Sequence, residues 1–205
     1  ASGAYATVPG GRGNTASGNY AFATGRRAQA THEGSFVWGD ATDADVASSA
    51  PNQTTFRSTG GFRIFTNTAL STGVQVPAGG NSWASISDRA LKDNLTPVDG
   101  QDVLRRLLGV PVYTYTLKSQ DPSVKHMGPV AQDFARAFGL GEDERYIGSA
   151  NADGVLMAAL QGLALRLQER EAELARQKEE MDALKARLGT LEALVAALLT
   201  TSQRP

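Results

Sequence analysis

The longest regular pattern of hydrophobic positions lies in the C-terminal part of the chain. With Leu160 set as position a of a heptad, ten of the twelve a and d positions up to residue 198 are apolar, without a break in phase. Arg170 and Gln177 occupy the two polar d positions. The pattern predicts a coiled-coil helix over residues 159–200. Its apolar seam consists of Leu160, Leu163, Leu167, Leu174, Met181, Leu184, Leu188, Leu191, Val195 and Leu198.

Charged residues beside this seam indicate how the helices associate. In parallel helices, position g faces position e of the next heptad on the neighbouring chain. The four charged pairs of this kind are all opposite in charge, which favours a parallel homo-oligomer over an amphipathic helix packed on its own domain. Leucine at both a and d does not decide between two and three chains. The pairs are Arg166–Glu171, Glu173–Lys178, Glu180–Lys185 and Arg187–Glu192.

Residues 99–150 show shorter alternations that predict a small α/β unit. A helix is expected over 102–108 and stops at Gly109. Strands are expected over 110–117 and 126–130, because β-branched and aromatic residues are frequent there. A second helix over 131–138 should end at Gly139.

The N-terminal part alternates small and aromatic residues instead. Segments 54–58, 61–66 and 73–76 are predicted strands. Before them, the segment 2–6 recurs at 17–21 and more loosely at 33–37, which aligns Tyr5, Tyr20 and Phe36. Such a short period predicts stacked β-coils, whereas the alternative is a flexible Gly/Ser-rich linker.

Composition divides the chain near residue 85. Residues 1–84 hold 13 of the 22 glycines and 9 of the 41 charged residues, with no lysine. The chain has no cysteine, which excludes disulfides and cysteine-based metal or redox chemistry. The net charge of −1 favours neither nucleic acid nor an anionic membrane, and no apolar run reaches the ~18 residues of a membrane span. His32 and His126 lack metal-ligand spacing, so neither a metal nor a cofactor is predicted.

Ser87 and Lys92 lie five residues apart at the start of the charged part, and their residue types could supply a nucleophile and a base. A serine hydroxyl needs a base, and a lysine, whose ordinary pKa is ~10.4, serves as one only where burial or nearby cations favour its neutral form. Serine and lysine five residues apart are common, and the bare pair fits a helix cap followed by a solvated lysine better than it fits catalysis. On one regular helix the two side chains would point ~140° apart. Either the segment is a turn, or Lys92 reaches Ser87 of a neighbouring chain.

The surrounding motifs give this pair a context. The pattern Ser-Asp-x-x-Leu-Lys-x-Asn over 87–94 resembles the start of the intramolecular chaperone domain of phage tailspikes and endosialidases, the peptidase S74 family. Similar motifs follow in order at 104–107, 110–115, 126–133 and 153–161. Ala90, Pro129 and Asp133 depart from the usual family residues. The units over 1–41 resemble head repeats of trimeric autotransporter adhesins and related phage fibre repeats.

The S74 resemblance implies cleavage of the Ile86–Ser87 bond in a three-chain assembly, with Ser87 as nucleophile and Lys92 as base. Four other residues are candidates for supporting roles. Asp88 either orients Lys92 or caps a following helix, and Asn94 is expected in a turn. His126 either assists proton transfer or makes a structural hydrogen bond, and Gln132 is expected to bind nearby backbone groups.

Together these observations predict an α+β, elongated homotrimer. Residues 1–84 would form a β-rich shaft or head, residues 85–158 an autoprotease and chaperone module, and residues 159–200 a trimerisation helix. The predicted function is to register a fibre or adhesin shaft and then release itself by one self-cleavage, without activity on other substrates. The alternative is a non-cleaving trimerisation tip. Because the chain starts without Met or a signal peptide, a fragment or processed form is expected.

The expected partners and location follow from this interpretation. The main partner is the chain itself, and the N-terminal part is a possible surface for a host receptor or glycan. The expected location is a virion tail fibre or tailspike, or the extracellular surface of a bacterium.

Overall fold

The computed structural model describes residues 1–202, and over that range the chain is α+β. It divides into two compact units, one over Ala1–Asn94 and one from Leu95 onward. The first unit contains only strands and short turns, and the second contains all three α-helices of the described residues.

Nine strands build the first unit and form three sheets of three strands. The first two sheets are parallel, in the orders β1-β3-β5 and β2-β4-β6, and the third, β7-β8-β9, is antiparallel. The predicted strands at 54–58, 61–66 and 73–76 are confirmed as β6, β7 and β8. The strands are β1 (Thr15–Ala16), β2 (Phe22–Gly25), β3 (Ala28–Ala30), β4 (Phe36–Gly39), β5 (Val46–Ala47), β6 (Thr54–Arg57), β7 (Phe62–Phe65), β8 (Gly73–Val76) and β9 (Ala84–Ser85).

The core between the parallel sheets is built almost entirely from small side chains. Its fully buried members are Ala16, Ala21, Ala23, Ala28, Ala30 and Val37. Small residues let the successive strands approach closely, since larger side chains would not fit between them. Larger aromatic rings lie along the outer face of the second sheet, where Phe22 stacks on Phe36 with ring centroids 4.9 Å apart.

The structural repeat differs in phase from the one predicted between residues 33 and 37. Phe36 pairs and stacks with Phe22, not with the tyrosines. Tyr5 and Tyr20 stack on each other, and both have a positive φ, of 60° and 59°. The next turn, over 32–34, has Gly34 with a φ of 64°. The sequence alignment matched aromatic residues, whereas the backbone repeat is set by left-handed turn positions that tolerate different side chains.

An ion pair of low exposure closes the loop between β4 and β5. Arg57 Nε donates a hydrogen bond to Asp40 Oδ1 over 2.9 Å, and the two side chains are 17% and 16% exposed. Hydrogen bonds from the Thr59 hydroxyl and backbone N–H, together with that from Arg57, hold the pKa of Asp40 well below its usual value. Arg57 also donates to the carbonyls of Thr42 and Arg26, which fixes the loop onto β6.

The second unit consists of three helices and one hairpin: α1 (Gly100–Leu107), β10 (Val112–Tyr115), β11 (His126–Pro129), α2 (Ala131–Phe138) and α3 (Ser149–Ser202). Asp99 caps α1 by accepting from the backbone N–H of Gln101 and Asp102. Gly139 ends α2 in the left-handed conformation, as predicted. Pro129, one of the three residues that depart from the pattern of the resembled family, pairs with Val112 at the end of the hairpin, where a missing N–H disturbs the ladder least.

Helix α3 begins eleven residues before the first heptad position used for the sequence prediction. Its first turns pack against α1, which explains why the helix extends so far upstream. Val155, Ala158 and Ala159 are buried on this face. The closest approach is between two glycines, because a Cβ on Gly162 would lie 2.2 Å from the carbonyl oxygen of Gly100.

Candidate active site and oligomerisation surface

The segment that contains Ser87 and Lys92 is a short turn rather than a regular helix. It leaves β9 in an extended conformation and makes one 3₁₀ turn over Arg89–Leu91. It is extended again at Lys92, with φ −122° and ψ 127°. Because a 3₁₀ helix has about three residues per turn, the residues before and after a single turn lie on the same side of it.

The turn brings the two predicted side chains into contact within one chain. Lys92 Nζ donates a hydrogen bond to Ser87 Oγ over 2.7 Å. Of the two arrangements that the sequence left open, a turn or a reach to a neighbouring chain, this contact is the first. An amine at this distance from a hydroxyl is placed to exchange a proton with it.

Asp88 and Asn94 shape the turn. Asp88 Oδ1 accepts a hydrogen bond from the backbone N–H of Ala90 over 2.9 Å, so Asp88 caps the 3₁₀ turn. Asn94 has a φ of 54°, the left-handed conformation that asparagine tolerates better than most residues. Asp88 therefore has the capping role that the sequence offered as one alternative, and Asn94 lies at a bend just after Lys92.

The residues before Ser87 belong to the antiparallel sheet of the first unit. Ala84 and Ser85 pair with β8, and the backbone N–H of Ile86 donates to the carbonyl of Gly73 over 3.2 Å. This pairing explains why the first unit extends to Asn94, beyond the boundary expected after residue 84. The Ile86–Ser87 peptide bond thus lies where the sheet ends and the turn begins.

In the single chain this site is open to solvent. Ser87 and Lys92 are both exposed, and Ile86 is 39% exposed. An amine accepts the serine proton only in its neutral form, which burial in apolar surroundings favours. The contact therefore has the right geometry, while the single chain provides no enclosure around it.

His126 and Gln132, the other two candidates for a supporting role, lie in the second unit. The His126 ring stacks on Tyr115, with centroids 5.6 Å apart, and its Nε2 lies 2.7 Å from Gln120 Oε1. The stacking and the hydrogen bond tie the hairpin β10–β11 to the loop between its strands. A structural hydrogen bond was one of the two roles expected for His126. Gln132 is exposed in the first turn of α2.

The predicted heptad seam forms an exposed apolar stripe along α3 of the second unit. All ten of its apolar residues are at least half exposed in the single chain, from Leu163 at 50% to Leu198 at 69%. Helix α1 covers heptad positions c, f and g of the first turns of α3, and leaves a and d uncovered. Contiguous exposed apolar stripes of this kind are typical of interaction surfaces.

One residue of this seam escaped the sequence analysis. Leu156 lies at a d position one heptad before Leu163 and is 56% exposed. The signal was present in the spacing of four residues between Leu156 and Leu160. It was missed because the count began at the first unbroken leucine repeat.

Among the described residues, no three or more histidine and acidic side chains are grouped to hold a metal ion. None of the helices in residues 1–202 combines the length and apolar character that crossing a bilayer demands.

Comparison with protein families identifies one matching segment. Residues 87–139 match the Peptidase_S74 family, described as the chaperone of endosialidase. The matching segment starts at Ser87 and ends at the Gly139 cap of α2. No curated protein matches the chain.

Proposed function

We propose that the C-terminal part of this chain is an intramolecular chaperone that aligns three copies of an N-terminal shaft and then cuts the Ile86–Ser87 bond. The observation that carries the proposal is the hydrogen bond of 2.7 Å from Lys92 Nζ to Ser87 Oγ. The family match over residues 87–139 supports the chaperone role. It begins at the residue that would become the new N-terminus.

The cleavage chemistry uses only groups of this segment and one water. Neutral Lys92 removes the proton of Ser87 Oγ, which attacks the carbonyl carbon of Ile86. The C–N bond to Ser87 breaks, and the released amine takes up a proton. The acyl group of Ile86 is now an ester on Ser87 Oγ. Water hydrolyses this ester, which gives the Ile86 carboxylate and restores the Ser87 hydroxyl on a free N-terminus.

Assembly would control when this reaction occurs. Burial in an apolar environment favours the neutral form of a lysine. Because Ser87 and Lys92 are exposed in the single chain, that burial would come from neighbouring chains. The nucleophile and its base would be preset in each chain, and cleavage would wait until three chains surround them.

The seam of α3 supports the alignment step. Its exposed apolar residues fit a parallel coiled coil, in which the four oppositely charged g–e pairs fix the register. Long-range β assembly is slow and prone to aggregation, so a registering clamp has a physical purpose for the strands of the N-terminal part. Loss of the clamp after cleavage would leave a shaft that is kinetically hard to unfold.

The location and further partners follow from this role. We place the protein on a virion tail fibre or tailspike, or on a bacterial surface, and assign the shaft to residues before Ser87. The two parallel sheets β1-β3-β5 and β2-β4-β6 support a stacked β-coil in that shaft. A host receptor or glycan would bind this N-terminal part.

Denaturing electrophoresis with intact-mass analysis tests the proposal. Wild-type chain should give two fragments, one ending at Ile86 and one starting at Ser87, and Ser87→Ala should stay whole at 21.6 kDa. Ser85→Ala is the matched control, since Ser85 is also exposed and lies two residues away. Should wild type remain whole after assembly and long incubation, the module is a permanent trimerisation tip.

A further inference from the structure

The last heptad of α3 differs from those before it in the positions that flank the seam. Counted from Leu160, Leu194 lies at position g and Leu199 at position e of the following heptad. In the four preceding pairs these positions hold opposite charges. Here both are leucines, and their side chains are 56% and 62% exposed in the single chain. The apolar face thus widens from two heptad positions to four near the C-terminal end.

The same end of the helix has few charges and no cover from α1. Between Leu188 and Leu199 the only charged residue is Glu192, whereas charged residues recur in every turn between Arg166 and Arg187. Helix α1 packs against the opposite end of α3, around Gly162. All side chains from Leu191 to Leu199 are exposed.

We infer that residues 188–199 form the nucleus at which copies of this chain first associate, before the coil closes toward Leu160. This inference rests on the proposed trimer and names the part of its surface that forms first. The occupant is a second copy because Leu194 and Leu199 continue the series of g–e positions that face a neighbouring parallel chain. Apolar flanks bury more surface per turn than charged ones, so first contact is most favourable there.

The two parts of the coil then have different tasks. Residues 188–199 hold the chains together but specify their register only weakly, since a pair of leucines has no charge to match. The upstream charged pairs reject misaligned chains as the coil closes, because like charges meet when the register slips. Closure ends beside α1, where α3 joins the module that carries the proposed clamp function.

Assembly kinetics of the full chain test this inference, in a Ser87→Ala background that keeps cleavage out. Chains are refolded by dilution from denaturant, cross-linked at intervals and sized by sedimentation. The double variant Leu194→Glu with Leu199→Lys restores an oppositely charged pair and removes the apolar flanks. It should assemble at least about tenfold more slowly, while subunit exchange between formed trimers stays near the parent rate, since nucleus residues act on the association rate.

Two further variants separate nucleation from general loss of stability. Ala193→Glu adds the same charge next to Leu194 but at the outward position f, and should assemble at the parent rate. Leu167→Ala removes a seam leucine far from residues 188–199, and should mainly speed subunit exchange. The inference is overturned if the double variant assembles at the parent rate, or if Leu167→Ala slows assembly equally. A parent chain that stays monomeric would instead refute the proposed trimer itself.

Discussion

Lys92 Nζ and Ser87 Oγ are 2.7 Å apart across a single 3₁₀ turn of the same chain. The turn explains how residues five apart in sequence come together, which a regular α-helix does not allow. The contact could have two roles, since Lys92 could donate a structural hydrogen bond to Ser87 or accept its proton. The two roles require different properties of the side chain at position 92.

Lys92→Arg distinguishes these roles. Arginine retains the positive charge and can donate a hydrogen bond to Ser87, but it stays protonated and cannot act as a base. Under the proposed mechanism, cleavage should fall by at least about a hundredfold, within the usual contribution of general base catalysis. The fraction of whole chain over time, measured by intact mass, gives the rate. Lys118→Arg is the matched control and should cleave like wild type. If Lys92→Arg also cleaves normally, Lys92 has only a structural role.

Chain mixing tests whether the contact within one chain is the one that acts. Chains with Ser87→Ala lack the nucleophile, and chains with Lys92→Ala lack their own base. If Lys92 serves Ser87 of its own chain, mixed trimers of the two variants should remain whole. Mass labels on each variant identify any product. Fragments of the Lys92→Ala chain, formed only in the mixture, would show that a neighbouring chain supplies the lysine.

Periodicity along the chain predicted the elements well wherever local contacts determine them. Helix α2 and strand β8 have the predicted bounds, because capping by Gly139 and pairing across a short loop are local signals. The Ser87–Lys92 candidates also came from sequence.

A non-local contact and a turn position explain what the sequence did not predict. The start of α3 depends on packing against α1, where Gly162 lies against Gly100. The phase of the third N-terminal repeat is set by a left-handed turn position, which Gly34 holds where the two earlier repeats have Tyr5 and Tyr20. The contact between α1 and α3 joins residues that are distant in sequence. The turn position of the third repeat is not marked by one residue type.

The Asp40–Arg57 pair predicts acid sensitivity of the first unit. The pKa of Asp40 is lower in the folded chain than the ordinary aspartate pKa of about 3.9. The Asp40 carboxylate therefore contributes its full stabilisation at pH values above about 3.9. The contribution is lost as the pH falls through the lower folded pKa. Asp40→Asn should therefore lower the melting temperature at pH 7 and give a flatter decline below pH ~4.

Thermal unfolding followed by circular dichroism between neutral pH and pH ~2 measures this effect. Asp43→Asn is the control, because the Asp43 side chain is 62% exposed and its ion pair with Arg26 lies at the surface. It should follow wild type closely over the whole range. Parallel curves for Asp40→Asn and wild type in acid would contradict the assigned role of Asp40.

The surroundings of Gly25 predict that the parallel strands stack too closely there to admit a side chain. Its φ is +88°, and a Cβ there would lie 1.9 Å from the carbonyl oxygen of Gly39. Gly25→Ala should cost about 3 kcal/mol or more in the free energy of unfolding, from strain and displaced strands. Gly10 is the matched control, since a Cβ there has no atom within 4 Å. Chemical denaturation that finds the two alanine variants equally stable would refute the close approach.

The contact between α1 and α3 predicts opposite effects of one substitution at two glycines of the same helix. A Cβ on Gly189 would contact nothing within 4 Å, so Gly189→Ala should stabilise α3 by about 0.5–1 kcal/mol. Gly162→Ala gains the same helix propensity, but its Cβ would lie 2.2 Å from the Gly100 carbonyl oxygen and must push α1 away. Hydrogen exchange of the α1 amides should accelerate in Gly162→Ala and stay unchanged in Gly189→Ala. Since α1 lies on the outer face of α3, Gly162→Ala should loosen the module while leaving the a and d seam free to associate. Unchanged protection of α1 in Gly162→Ala would mean that the two helices are farther apart than the glycine contact requires.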